Sequence, residues 1–117
     1  MQEFQVNLKL DGQVATLAMT GDLTHNSETR LFNAYEKVVS ARAHYIILDF
    51  RKTEYINSAG MSVIITLLTR AQQAGQEMRA FGLSSHYQKI FEMVGLLKYI
   101  QHFHSPEAAY QGLPKSF

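Results

Sequence analysis

Asn57-Ser58 stands between an apolar run, Tyr45-Ile46-Ile47-Leu48-Asp49-Phe50, and a segment with helical periodicity, so a serine hydroxyl is expected at the mouth of a helix. Asn and Ser both cap helix N-termini. Backbone N–H groups and the helix dipole converge there, which makes it a place to hold an anion. Read by itself, Ser58 is a plain capping hydroxyl that satisfies an otherwise orphan N–H. Other reactive side chains form weaker constellations. His102 and His104 would share a face of a strand, but two ligands without a third histidine or a matching carboxylate are too few for a metal. The stretch Arg51 to Tyr55 is an expected connecting loop, and the acids towards its two ends, Asp49 and Glu54, lack an evident partner. Gly60 and Gly75 do not make a phosphate-cradling series, and Ile56 stands where a nucleophile elbow needs glycine. No cofactor or enzymatic role is expected.

Composition narrows the classes further. The chain has 117 residues and reads as a single domain over 1–117, long enough to build a core without staples. It contains no cysteine, which excludes disulfides and thiolate metal sites. The formal net charge is +1 with Lys and Arg scattered, so no basic face for direct nucleic-acid binding is expected. No apolar run approaches the ~20 residues that span a bilayer. Met1 to Gln5 lacks the pattern of a signal peptide. The expectation is a soluble, cytoplasmic protein without membrane insertion.

The elements that must position Ser58 follow from periodicity. Phe4, Val6, Leu8 and Leu10 alternate with polar residues, a strand with one buried face. Asp11-Gly12 predicts a type I′ hairpin turn. Val14 to Thr20 returns as a second strand, with Ala15, Leu17 and Met19 on one face. Gly21 to Asn26 reads as a loop, and Asn26 or Ser27 as the cap of a helix whose stripe is Leu31, Ala34, Tyr35, Val38 and Val39. The run at 45–50 is a strand buried on both faces. After Ser58 the stripe is Met61, Ile64, Ile65, Leu68 and Ala71–Gln72, with Gly75 as the C′ residue. Met78 to Phe81 is a short strand. Ser85 and Gln88 have capping-box spacing before a helix with Ile90, Phe91 and Val94, ending at Gly95-Leu96. Tyr99 to Phe103 reads as an edge strand. Ser105-Pro106-Glu107 opens a short terminal helix. The order β-β-α-β-α-β-α-β-α predicts an α/β fold: a small mixed sheet of about five strands with an opening hairpin and about four helices mainly on one face.

Ile56-Asn57-Ser58-Ala59-Gly60-Met61 resembles the Asp-Ser-Ser/Thr-Gly-Leu signature of STAS domains, the anti-sigma factor antagonist family. Thr20-Gly21-Asp22-Leu23, Ile47-Leu48-Asp49-Phe50 and Met93-Val94-Gly95-Leu96 lie at matching positions, so the resemblance covers nearly the whole chain. It implies the same STAS-like mixed sheet. It also implies a phosphorylation-controlled protein-binding switch with Ser58 as phosphoacceptor. Unmodified, such a protein sequesters a serine kinase that doubles as an anti-sigma factor; phosphorylation ends the interaction and a PP2C-type phosphatase resets it. The partner-binding residues on this reading are Asp22, Thr24, Asn57, Ser58, Ala59, Gly60 and Met61, in a protein that is a monomer when free.

Three positions depart from the signature: Asn57 replaces the acidic residue, Ala59 the second hydroxyl, and Thr24 an acidic residue of the earlier loop. Asp22 can supply that last charge, or it is a solvated turn residue capping its own backbone. Gly60 admits either a partner backbone or close helix packing. Met61 is expected on a binding surface, where methionine adapts well. Two other readings carry different expectations. One is a STAS regulatory or structural subunit of a larger, transporter-associated assembly with no phosphoswitch. The other is a minor enzymatic or nucleotide-binding role.

Overall fold

The structure, a computed structural model, describes residues 2–114. Strand β1 (Gln5–Asp11) and β2 (Val14–Leu23) form the opening hairpin, followed by α1 (Glu28–Ser40), β3 (Tyr45–Ile56), α2 (Ser58–Gln73), β4 (Glu77–Phe81), α3 (Ser85–Met93), β5 (Gln101–Phe103) and α4 (Pro106–Tyr110). Single 3-10 turns at His25–Ser27 and Leu96–Lys98 precede α1 and β5. The sheet order is β1-β2-β3-β4-β5, antiparallel between β1 and β2 and parallel thereafter. Each step from β2 to β5 moves the same way across the sheet. Right-handed crossovers therefore place α1, α2 and α3 on one face. Among the described residues, no helix is long and apolar enough to cross a membrane.

The main core lies under those helices. Ala15, Leu17 and Met19 of β2 and Ile46, Leu48 and Phe50 of β3 meet Leu31 and Val38 of α1, Ile64 and Leu67 of α2, and Phe91 of α3. The terminal helix needs no crossover, and α4 covers the opposite face. There Ala109 and Leu113 bury Val14, Ile47 and Phe81. Both faces of β3 are thus covered, the physical reason for its unbroken apolar run.

Several boundaries differ from the sequence reading. β3 does not stop at Phe50: Lys52, Thr53, Tyr55 and Ile56 continue the ladder against Thr20, Gly21, Asp22 and Leu23. Two register shifts there put extra residues on β3, bulges of the kind found at sheet ends beside functional sites. The expected loop at 51–55 is therefore strand, as are Gly21 to Leu23. In the hairpin, Asp11 pairs with Val14, so the turn residues are Gly12 and Gln13. Only Gly12 has positive φ (60°), the II′ arrangement rather than I′. Leu10, Val39 and Ile65 are more than two-fifths exposed, and α2 instead buries Gly60, Val63, Ile64, Leu67, Leu68 and Ala71. The α3 cap is Ser84, whose Oγ accepts the Tyr87 N–H at 3.2 Å, while the Gln88 amide donates to the Leu83 carbonyl. The expected Ser85–Gln88 capping box is therefore absent, and the cap lies one residue earlier. Val94 points outward, and β5 begins only at Gln101.

Candidate functional site

The end of β3 hands the chain to α2 through Asn57. Its backbone is extended (φ −94°, ψ −179°) and its Oδ1 accepts the Gly60 N–H at 2.8 Å. Asn57 is therefore the cap, and Ser58 is the first helical residue. This corrects the reading of Ser58 as a capping hydroxyl. The Ser58 side chain is exposed and its hydroxyl has no hydrogen-bond partner among the described residues. The N–H groups of Ser58 and Ala59 are likewise unpaired within the described chain, as expected in the first turn of a helix. An exposed hydroxyl, two open donors and a helix N-terminus coincide at one point.

Gly60 fixes that point against β2. A Cβ there would lie 2.0 Å from the Leu23 carbonyl oxygen, and Asn57 donates its N–H to the same oxygen at 3.2 Å. The close approach that glycine permits is internal. Beyond Leu23, the 3-10 turn closes on itself. Thr24 Oγ1 accepts from the Asn26 N–H at 3.2 Å, Ser27 Oγ accepts from the Thr24 N–H at 3.0 Å, and Ser27 donates onward to the Asp22 carbonyl at 3.1 Å. Ser27 and Thr24 are buried within this network.

Asp22 is also buried, neither a solvated turn residue nor an open charge. Its Oδ2 accepts the Gln2 N–H at 3.1 Å and its own N–H donates to the Gln2 carbonyl at 3.2 Å. The carboxylate ties the N-terminal segment across Gly21, whose missing Cβ leaves room for the Glu3 carbonyl. Met61 is half-buried and packs against the main core. The structure thus gathers all seven predicted residues around one helix start, but divides them. Ser58 is exposed, Asn57, Ala59 and Met61 are partly so, and Asp22, Thr24 and Gly60 support from beneath.

Sequence reasoning missed the neighbours. His25 and Glu28 face Ala59, Ser62, Val63 and Thr66 across a groove of about 250 Å³. Ser62 Oγ donates to the Ser58 carbonyl at 3.2 Å and Thr66 Oγ1 to the Ser62 carbonyl at 3.0 Å. The spacing of four between Ser58, Ser62 and Thr66 was the available signal. Thr53, the next serine or threonine upstream, has its Oγ1 buried with no partner among the described residues.

The remaining reactive groups are occupied. Asp49 accepts the backbone N–H of Arg51 at 3.0 Å and its Nη2 at 2.9 Å, and the guanidinium lies 5.0 Å from the Phe81 ring centroid. That hydrogen bond and charge hold the Arg51 pKa above its ordinary value. His102 Nε2 accepts the Leu83 N–H at 3.1 Å. Burial, and then the nearby His104 ring, push its pKa below the ordinary histidine value. Among the described residues no group of three or more His, Asp or Glu side chains could hold a metal.

Comparisons with known proteins converge on this architecture. The family model for the STAS domain matches residues 5–109. BtrV of Bordetella bronchiseptica, which carries the name of an anti-sigma factor antagonist, is 31% identical over 64 residues, 55% of this chain and 55% of that protein. The match therefore spans about half the length of that relative. The crystal structure of an anti-sigma factor antagonist from Mycobacterium paratuberculosis superposes with a TM-score of 0.80 at 13% identity, over 95% of this chain and 94% of that one. SpoIIAA, a Bacillus cell fate determinant solved in its phosphorylated form, gives 0.68 at 17% identity over 91% and 96%. At these identities the structural matches establish the fold.

Proposed function

Since the chain belongs to the STAS domain family, whose members are regulatory binding proteins, we propose that it is an anti-sigma factor antagonist switched by phosphorylation of Ser58. Unmodified, it binds a cytoplasmic serine kinase that doubles as an anti-sigma factor and frees that factor's target. The kinase phosphorylates Ser58 and is released, and a PP2C-type phosphatase restores the binding form. The names borne by BtrV and the M. paratuberculosis protein, and the phosphorylated form of SpoIIAA, support this reading.

One observation carries it: the Ser58 hydroxyl is exposed and free because Asn57 does the capping. A phosphate brings roughly −1.5 to −2 charges. The open N–H groups of Ser58 and Ala59 and the helix dipole can receive them, so the fold survives modification. The surface the kinase meets does not stay the same. A docked partner would have to desolvate the phosphate. Ser58, Asn57, Ala59 and Met61 form the contact surface on this account. Asp22, Thr24 and Gly60 hold it in place rather than touch the partner, because their burial keeps them from a docking surface.

The test is retention of a purified ATP-dependent serine kinase by the unmodified protein and not by the Ser58 phosphoprotein. Equal retention of both removes the switch. Co-purification with a membrane transporter while Ser58 stays unmodified would favour the subunit reading instead.

A further inference from the structure

The two edges of the sheet are unequal. β5 offers three residues, whereas β1 offers seven with no proline and a regular register. The hairpin decides which backbone groups are open. A two-residue turn closes on a hydrogen-bonded pair, here Asp11 with Val14, so Lys9–Thr16, Asn7–Ala18 and Gln5–Thr20 are also hydrogen-bonded pairs. The N–H and C=O groups of Val6, Leu8 and Leu10 consequently point away from the sheet. Their side chains lean toward the helix face, where Val6 and Leu8 are half-buried against the core.

Helix α1 overhangs this edge. Arg30, Asn33, Ala34 and Lys37, spaced by three and four, line a groove of about 540 Å³ with Gln5 to Leu8. A helix flank beyond the last strand would ordinarily face water. Here it forms a polar, basic eave above the open edge of β1. Arg30 is held by Glu3 at 2.6 Å and donates to the Phe4 carbonyl at 3.0 Å. Lys37 makes no ion pair among the described residues.

We propose that β1 is a docking edge for an extended, acidic segment of a partner protein, which adds to the sheet as a further strand beneath Lys37 and Arg30. Main-chain hydrogen bonds to Val6, Leu8 and Leu10 give the affinity, and alternate acidic side chains meeting the eave give the choice of partner. A second copy of this chain fits less well. Antiparallel pairing of two β1 strands about a two-fold axis sets each α1 flank against its own image, Lys37 and Arg30 facing Lys37 and Arg30. The edge lies two strands away from β3, the strand that leads into Ser58 at the start of α2, so this surface does not depend on the phosphoswitch.

The probe is a capped peptide of alternating Glu and Val, with a Lys–Val peptide as its counterpart, added to the intact protein and followed by amide exchange in NMR. The Glu–Val peptide should slow exchange of the Val6, Leu8 and Leu10 amides and outbind the Lys–Val peptide. Leu8→Pro, which removes an outward donor on an edge strand along with a half-buried side chain, should abolish that protection while spectra around Ser58 stay unchanged. Lys37→Glu, which touches no backbone group, should weaken the Glu–Val peptide about tenfold and reverse the preference. The proposal is overturned if both peptides bind alike, or if binding leaves those three amides unprotected. It is equally overturned if the protein alone protects them as its concentration rises, which would assign the edge to a second copy.

Discussion

A Cβ on Gly60 would stand 2.0 Å from the carbonyl oxygen of Leu23, the atom that also accepts the Asn57 N–H. This one contact locks the start of α2 to the end of β2 and sets the position of Ser58. Alanine inside a helix ordinarily gains about 1 kcal/mol over glycine. Here the clash is with backbone, which cannot swing aside. Gly60→Ala should therefore destabilise by about 2–3 kcal/mol, the upper range for overpacking. Urea denaturation measures it, and an alanine variant as stable as the parent would mean that α2 does not pack on Leu23.

The division of labour between Asn57 and Ser58 predicts unequal costs. Asn57→Ala removes the cap on the Gly60 N–H and should cost about 1 kcal/mol. Ser58→Ala removes an exposed, unbonded hydroxyl and should change stability by less than about 0.5 kcal/mol. The same urea titrations give both values. A larger loss for Ser58→Ala would return the cap to the serine.

His102 couples stability to pH. Its Nε2 accepts the Leu83 N–H and therefore must be unprotonated in the fold. Burial first, and His104 second, lower its folded pKa below the unfolded value of about 6.5. Between the two values the unfolded chain binds more protons, so stability falls as pH falls. The contribution is complete above about pH 6.5, declines below it, and levels off beneath the folded pKa. NMR titration of the ring should show the lowered pKa, and His102→Leu should flatten the acid side of the stability profile. A ring that titrates above its ordinary value would contradict the assignment.

Much of this architecture was legible in the residues because periodicity reports burial. The alternation in β1 and β2, the unbroken run at 45–50 and the stripe of α1 gave the order of elements. What periodicity cannot see is structure that buries nothing. Arg51, Lys52 and Glu54 are exposed polar residues, yet they continue β3 because β2 runs on beside them. The placement of α4 on the far face follows from the path of the chain, which no local pattern encodes.

The site was legible to within one residue. Asn57 and Ser58 are both good caps, and only the observed hydrogen bond to Gly60 separates them. The same ambiguity moved the α3 cap from Ser85 to Ser84. Asp22 was read as a surface charge because nothing in its neighbours announces that Gln2 folds back onto it. In α2 the apolar residues crowd more than one stripe, so periodicity points to Ile65 while the structure buries Val63 and Leu67.

Asn57 also sets the charge beside Ser58, the proposed phosphoacceptor. Asn57→Asp keeps the capping oxygen but adds a negative charge near a Ser58 phosphate. Two charges about 5 Å apart repel by roughly 3 kcal/mol at an effective dielectric of 20, and less when solvent screens them. The variant should fold and bind its kinase nearly as the parent does, with faster dephosphorylation and lower steady-state occupancy at equal kinase. Higher occupancy in the aspartate variant would contradict the electrostatic account and point to recognition of that acid by the kinase.

The central claim is that Ser58 carries the switch, and phosphopeptide mapping by mass spectrometry of the protein isolated from its own cells addresses it directly. The account predicts phosphate on Ser58, and its loss without transfer to another residue in Ser58→Ala. Phosphate on Ser62 with Ser58 unmodified, or a Ser58 that stays bare in every growth state, would contradict it.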